Sequence, residues 1–598
     1  MGRKKKEIVK KEFIPSKYQQ AIFDFIDHDV GNLVIEACAG SGKSTTLIQI
    51  ISRLPQDKSV LFCAFNKDIV KELSKKVDKS FTNVDIRTVH SLGYLMLQRN
   101  FKDKSLSINE NKYREFIFNN LNDITRIDLS FLTYKEKIQY IDNIVKLVDF
   151  SRYNLAESEK EILILAERHD ISLLGDEINA CLDVMEWGRQ VIDEVDYTDM
   201  VWLPNTLLLK PLGLLFDYIL ADECQDFSVA QRELILRCVK KNTRMVYVGD
   251  KKQCLYSFAS ASPESFDKIK ALPNTTSLPL SISYRCPKNI VKFAQTIVKE
   301  IEYNENNLIE GDIKYNSRID EINDGDMVLC RNNAPLMKIY SELIREGKKC
   351  KIRGKDIGLN LKKIVKHTKQ EELNADLLKD GVFVRLYDDL FSCRDKMITK
   401  SGLDLNTIMN DSIIVNKLDM IKALEVLSEG LKTSDELLKK IDEMFSDRKN
   451  VGISLSTIHK AKGLEADNVF IACPSLMPCK SATKDWEIEQ EYNLMYVAYT
   501  RAKNKLCFLD ESEFKNFNEN NNELKSIEIK VNNVLGKKNN KIVFDSIKTK
   551  DILNRIKTIE RPKIGLTKNL SESSFTSNKT NSDLSNLFNN RFKKSKRK

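Results

Sequence analysis

Lys43 stands in Ala37-Cys38-Ala39-Gly40-Ser41-Gly42-Lys43-Ser44-Thr45, directly behind the apolar run Leu33-Val34-Ile35. A strand that ends in such a turn and feeds a helix points backbone N–H groups of Ala39 to Thr45 into the turn, where phosphate oxygens can lodge. The lysine then reaches the β- and γ-phosphates, and the Ser44 hydroxyl reaches Mg²⁺. A second cluster, Asp222-Glu223-Cys224-Gln225-Asp226, follows the apolar run Tyr218–Ala221. Carboxylates at a strand end can support a hydrated Mg²⁺ (Asp222) and orient or deprotonate an attacking water (Glu223), as phosphoanhydride hydrolysis requires. The third cluster is Val246-Tyr247-Val248-Gly249-Asp250-Lys251-Lys252-Gln253, where Gln253 at a strand tip could sense a terminal phosphate by hydrogen bonding. Tyr256 and Phe258 alternate just beyond it; that spacing suits stacking on successive bases and equally suits half of a strand's core face.

These groups need a scaffold that brings several strand ends together. Short apolar, β-branched segments recur at Leu33–Ile35, Val60–Ala64, Tyr218–Ala221, Met245–Val248, Met327–Leu329, Ile453–Thr457, Val469–Ala472 and Leu506–Leu509, with helical stretches between them. This alternation predicts parallel α/β layers, and the strand count implies two similar cores. Residues 97–195 and 341–448 differ in texture and read as amphipathic helices inserted into those cores, among them Tyr134–Val148 and a capped helix at Thr433-Ser434-Asp435-Glu436. From about Phe514 the chain is rich in Asn, Lys and Ser, and most of it reads as a disordered basic tail.

At 598 residues the chain is long enough for several domains. Its net charge of +10 is unevenly placed: residues 530–598 hold 18 Lys/Arg against 5 Asp/Glu, so the body is near neutral. Any nucleic-acid track in the folded part is therefore a local groove, not a globally basic surface. No apolar stretch reaches the roughly 18 residues of a membrane span, and no apolar segment follows Met1-Gly2-Arg3-Lys4-Lys5-Lys6, so a soluble intracellular protein is expected, cytoplasmic or nuclear. The 13 cysteines form no CxxC pair and read as reduced, small apolar side chains.

Taken in order, Gly40-Ser41-Gly42-Lys43, Asp222-Glu223-Cys224-Gln225-Asp226, Gly249–Tyr256, Tyr284-Arg285, Thr457-Ile458-His459-Lys460-Ala461-Lys462-Gly463-Leu464-Glu465 and Tyr496-Val497-Ala498-Tyr499-Thr500-Arg501-Ala502-Lys503 resemble the helicase motifs of the UvrD/Rep group in superfamily 1. Lys17-Tyr18-Gln19-Gln20 is similar to that family's adenine-reading glutamine motif, with Gln19 the reader and Gln20 the fallback. Phe65-Asn66-Lys67, Thr88-Val89-His90-Ser91 and Asp196-Tyr197-Thr198-Asp199 resemble its single-strand-contacting segments.

The resemblance implies two RecA-like parallel-sheet P-loop domains, each with a helical insertion, closing on ATP and Mg²⁺. The boundaries expected are 1–96 with 196–272, insertion 97–195, 273–340 with 449–513, insertion 341–448, and a tail from 514. It further implies that Lys43 and Ser44 bind phosphate and metal, Asp222 supports the metal and Glu223 activates water. Tyr284 stacks on adenine, Glu465 contacts ribose, and Arg285 and Arg501 reach the γ-phosphate from the second domain. Phe65, Asn66, Thr88, His90, Tyr256, Phe258 and His459 are the DNA-side expectations. Implied partners are single-stranded DNA and duplex junctions, with a monomer or loose oligomer as the active form; the tail could tether nucleic acid or a replication or repair protein. The activity implied is an ATP-dependent 3′–5′ DNA helicase or translocase in replication, repair or recombination. Alternatives are a protein-displacing translocase and a non-hydrolysing DNA-binding scaffold. The chain departs from the family pattern at Thr45 and Ala259, where arginine is common, at Val89 in place of an aromatic and at Phe258 in place of Trp.

Overall fold

The computed structural model describes residues 13–537 except 65, 78–79, 170, 172, 174, 256–264, 446–451 and 518–520. Phe65, Tyr256, Phe258, Ala259 and the basic segment 538–598 lie outside the described residues.

The first part of the chain lays down β1 (Asn32–Ala37), β2 (Val60–Ala64) and β3 (Val84–Thr88), then a helical excursion opened and closed by the two-residue strands β4 (Ser107–Ile108) and β5 (Glu194–Val195). It returns through β6 (Phe216–Ala221), β7 (Val239–Gly249) and β8 (Thr275–Leu280). These six long strands form one parallel sheet in the order β3-β2-β6-β7-β1-β8. A second short ribbon pairs β9 (Ile282–Ser283) with β10 (Glu302–Tyr303). The remaining strands are β11 (Asp312–Ser317), β12 (Met327–Cys330), β13 (Cys350–Ile352), β14 (Ile453–Thr457), β15 (Ala466–Ala472) and β16 (Ala502–Leu509), a second parallel sheet in the order β11-β16-β15-β12-β14-β13. All five residues of β2 and all four of β12 are buried, as expected for central strands covered on both faces by helices. Because every strand of a sheet runs the same way, the carboxyl ends of β1, β6 and β7 share one edge, where open α/β sheets bind ligands.

The two-sheet α/β architecture agrees with the sequence reading; three boundaries differ. β8 lies beyond residue 272, yet it pairs along its whole length with β1 and is the edge of the first sheet. β13 lies inside the span read as insertion 341–448, yet it joins the second sheet beside β14. The helix Asn521–Val534 lies in the span read as tail, and it packs with Leu524 and Val531 buried while Glu528 accepts two 2.8 Å hydrogen bonds from the buried Arg394.

The first insertion has its own core, in which Tyr140, Ile144 and Val148 meet Ala180, Val184 and Trp202. The second insertion shares one instead. Phe383, Tyr387 and Leu424 pack in the same apolar cluster as Val328, Leu455 and Phe470 of the second sheet. The opposite face of that sheet continues through Tyr496 to Cys38 and Ala39 behind Lys43.

Candidate nucleotide site

The turn after β1 owes its shape to glycine. Gly40 and Gly42 have φ of 70° and 81°, in the left-handed region, and Gly42 caps the helix Lys43–Ile51. A Cβ on Gly40 would fall 2.6 Å from Cβ of Arg285, because the Gly40 carbonyl accepts from the Tyr284 N–H at 2.9 Å. The loop is thus sandwiched between the helix it starts and the Ser283–Arg285 segment. The Ser41 hydroxyl is buried with no hydrogen-bond partner among the described residues. A closed polar cradle with an unspent hydroxyl at a helix N-terminus suits a phosphate group.

Lys43 Nζ lies 2.6 Å from Glu223 Oε1, both side chains mostly buried. Burial opposes the lysine's charge, but Glu223, Asp222 and Asp250 outweigh it and hold its pKa above the ordinary value. Glu223 is in turn kept ionised: burial works against it, and Lys43 and Lys462 prevail. Asp222 behaves oppositely, since burial and then the neighbouring Glu223 raise its pKa. Two adjacent carboxyls are therefore split, one held as an anion facing Lys43 and the other with its pKa raised. Ser44, one residue beyond Lys43, and Asp222 are the groups that would hold Mg²⁺ here, and a buried carboxyl with a raised pKa suits a hard cation.

From Glu223 a hydrogen-bonded chain crosses to the second sheet. Gln225 Nε2 donates to Glu223 Oε2 at 2.6 Å, and its Oε1 accepts from the Asp250 N–H at 3.1 Å. Gln253 Nε2 donates to Asp250 Oδ2 at 2.6 Å, and its Oε1 accepts from Arg501 Nη2 at 3.3 Å. Arg501 is 1% exposed. Its other acceptors are the carbonyls of Val497 and Leu464 and the Thr500 hydroxyl, so every partner among the described residues is uncharged. Burial and then Arg285 push its pKa down to about 9, which still leaves it protonated at neutral pH. A buried guanidinium without an anion is costly, and a phosphoryl group would supply the missing charge. Arg285 is differently placed: Nε donates to Glu465 Oε2 at 2.7 Å and Nη1 to the Thr500 carbonyl at 3.3 Å. Glu465 also pairs with Lys503 at 2.5 Å.

On the base side, Gln19 is 2% exposed. Its Oε1 accepts from the Ser16 N–H at 3.0 Å and its Nε2 donates to Thr46 Oγ1 at 3.1 Å. A Cβ on Gly42 would stand 3.8 Å from both Gln19 Nε2 and Tyr284 Cδ2, so these two side chains flank the loop together. Tyr284 offers a ring 43% exposed, and Thr45 is exposed. Gln20 points elsewhere and bonds Asp24.

The residues expected on the DNA side are less concentrated. Asn66 Oδ1 accepts from the Ile69 N–H, and Thr88 Oγ1 from the Ser91 N–H, so both start helices. His90 has its pKa lowered by burial, against the pull of Asp196. His459 is lowered to about 3 by burial, Arg331 and Lys460. Both shifts favour the neutral imidazole in the ligand-free protein. His169 stacks on Phe150.

Four groups in the site went unassigned in the sequence reading. Lys462 reaches over to Asp226 and donates to the Gln253 carbonyl at 2.7 Å. Tyr496 accepts from the Ala39 N–H through its hydroxyl at 2.9 Å. Asp250 and Gln225 complete the chain described above. All four lie inside motif segments; side-chain direction, which spacing does not give, decides their part.

The model of the UvrD/REP helicase N-terminal domain matches residues 18–273, and that of the UvrD-like helicase C-terminal domain matches residues 340–513. A protein described as a probable DNA helicase II homolog, from Mycoplasma pneumoniae, is 24% identical over 80% of this chain and 81% of its own length. The ATP-dependent DNA helicase Rep of Buchnera aphidicola is 23% identical over 80% of this chain and 92% of its own. F-box DNA helicase protein 1 of Schizosaccharomyces pombe is 24% identical over 80% of this chain, which spans 55% of that relative's length.

Proposed function

Since the chain belongs to the UvrD/Rep-like family of DNA helicases, we propose that it hydrolyses ATP with Mg²⁺ to move 3′ to 5′ along single-stranded DNA and separate duplexes. The observation that carries the reading is the run of contacts from Lys43 through Glu223, Gln225, Asp250 and Gln253 to Arg501. It joins the phosphate loop of one sheet to the buried guanidinium of the other, which has no carboxylate partner among the described residues.

In this reading Lys43 and the Ala39–Thr45 backbone hold the triphosphate, and Ser44 and Asp222 hold the cation, which neutralises phosphate charge when bound. Gln19 and Tyr284 receive the base, and Glu465 the ribose. Lys43 is drawn off Glu223 by the phosphates, which frees that carboxylate to orient and deprotonate water. Arg501 and Arg285 face the charge that develops on the transferring phosphoryl group, a contribution typically worth about 10³–10⁵ in rate. Gln253, bonded to both Asp250 and Arg501, reports the state of one lobe to the other. Asn66, Thr88, His90 and His459, with Phe65, Tyr256 and Phe258, form the strand-contacting side. The proposed lobes are 13–96 with 196–280, and 281–352 with 452–517, with the helical insertions between.

The test is ATP hydrolysis with and without single-stranded DNA or RNA, then unwinding of duplexes with 3′ or 5′ overhangs. DNA-stimulated hydrolysis with unwinding only from 3′ overhangs is expected. Unwinding from 5′ overhangs would overturn the polarity. Stimulation without unwinding would favour a protein-displacing translocase, and no hydrolysis would leave a binding scaffold.

A further inference from the structure

Tyr496 lies in the helix Asp485–Tyr499 of the second lobe and is fully buried. Two of its oxygens face opposite ways in function. The hydroxyl accepts from the Ala39 N–H of the phosphate loop at 2.9 Å. The carbonyl accepts from the Thr500 hydroxyl at 2.8 Å, and that same hydroxyl oxygen accepts from Arg501 Nη2 at 3.2 Å. Arg501 Nε also donates to the carbonyl of the next residue, Val497, at 2.9 Å. A path of three hydrogen bonds through the side chains of Tyr496 and Thr500 therefore runs from the phosphate loop to the arginine. The ring itself sits in the cluster that joins Cys38 and Ala39 to Ile458, Val497 and Ala502 of the second lobe, so the hydroxyl is held by packing rather than free to swing.

We propose that Tyr496 is a positioning residue for Arg501: through its hydroxyl it sets the register of the Asp485–Tyr499 helix against the phosphate loop, and through Thr500 it fixes the guanidinium that follows. The inference rests on the hydrolytic reading above. A misplaced catalytic group loses rate far more than it loses ground-state binding. The loss belongs in kcat.

Tyr496→Phe removes only the hydroxyl. In the full chain, single-stranded-DNA-stimulated ATP hydrolysis is expected to fall about tenfold in kcat, with KM for ATP within twofold and the melting temperature lower by no more than a few degrees. Thr500→Val, which breaks the path at its other end, should give the same split. Combined with Arg501→Lys, either change should cost less than the product of the single losses, because both act through one guanidinium. Wild-type kcat in both Tyr496→Phe and Thr500→Val, a KM rise with kcat retained, or losses that multiply with Arg501→Lys would overturn the proposal. Absence of hydrolysis in the wild-type chain would instead overturn the reading it rests on.

Discussion

Arg501 meets Gln253 at 3.3 Å and no carboxylate among the described residues, whereas Arg152, equally buried, is surrounded by Asp149, Asp196 and Asp199 at 2.6–3.0 Å. The two arginines therefore differ in what they are for. Replacing Arg501 by Met removes a buried charge that has no counter-ion, so the ligand-free protein should melt within a few degrees of wild type. Hydrolysis should fall about 10³-fold or more. Thermal melts with and without a non-hydrolysable ATP analogue check it: the stabilisation by nucleotide should shrink. A melting temperature lower by more than about 10 °C without ligand would show Arg501 to be a structural residue.

Arg152 gives the opposite expectation. Its guanidinium bridges the helix Tyr134–Asn154 of the first insertion to the Asp196–Asp199 turn, and Lys112 and Tyr113 bind Asp199 from a third helix at 2.7 and 2.6 Å. Arg152→Met would leave buried carboxylates short of a partner, which typically costs about 3–5 kcal/mol. Denaturant unfolding should show that loss, and stability equal to wild type would mean that the remaining Lys112 carries the cluster alone.

The Lys43–Glu223 pair sets up a separation of binding from turnover. Glu223→Gln keeps the shape and loses the base, so hydrolysis should drop about 10²–10⁴-fold while ATP and single-stranded DNA still bind. Lys43→Ala should lose nucleotide binding itself. Fluorescent-nucleotide titration beside a phosphate-release assay separates the two, and undiminished turnover in Glu223→Gln would remove the assignment of Glu223.

His459 predicts an acid-side instability. Its folded pKa of about 3 lies below the ordinary 6.5, so the unfolded chain takes up a proton that the folded one refuses. Stability contributed this way is whole above pH 6.5 and declines as pH falls toward 3, by about 2 kcal/mol at pH 5. His459→Gln should flatten stability between pH 7 and pH 5 relative to wild type. An equal slope in both proteins would place the titrating group elsewhere.

What could be read without coordinates follows physical lines. β2 and β12 are short, apolar and buried throughout, as are the central Leu33–Ile35 of β1 and the last three residues of β6, and their sequences say so. β8, Thr275-Thr276-Ser277-Leu278-Pro279-Leu280, is an edge strand with polar residues and a proline, and β13 has three residues; neither carries a period to detect. Motif order singles out Lys43, Asp222, Glu223 and Arg501, and the structure brings Lys43, Glu223 and Arg501 onto one run of contacts. Tyr496 and Lys462 stand in the same motifs, but their part depends on partners 209 to 457 residues away along the chain.

The C-terminal boundary carries the last expectation. Beyond Lys537 the sequence holds 16 Lys/Arg and 5 Asp/Glu, an electrostatic term that acts on any polyanion. The helix Asn521–Val534 before it is structural: Arg394 is 5% exposed and donates to both carboxylate oxygens of Glu528, and Val531 is fully buried against the second insertion. A chain ending at Lys537 should keep its melting temperature and ATPase activity but show a shallower salt dependence of single-stranded DNA binding, by about 0.7 in the log–log slope for each phosphate that the tail no longer neutralises. A chain ending at Phe514 should melt lower as well, since Arg394 is deprived of its bidentate partner and the apolar face under Val531 is opened to water. Binding isotherms at several salt concentrations, with melts of both truncations, distinguish the two contributions. An unchanged slope in the first, or an unchanged melting temperature in the second, would show that the corresponding segment contributes nothing to binding or to the fold.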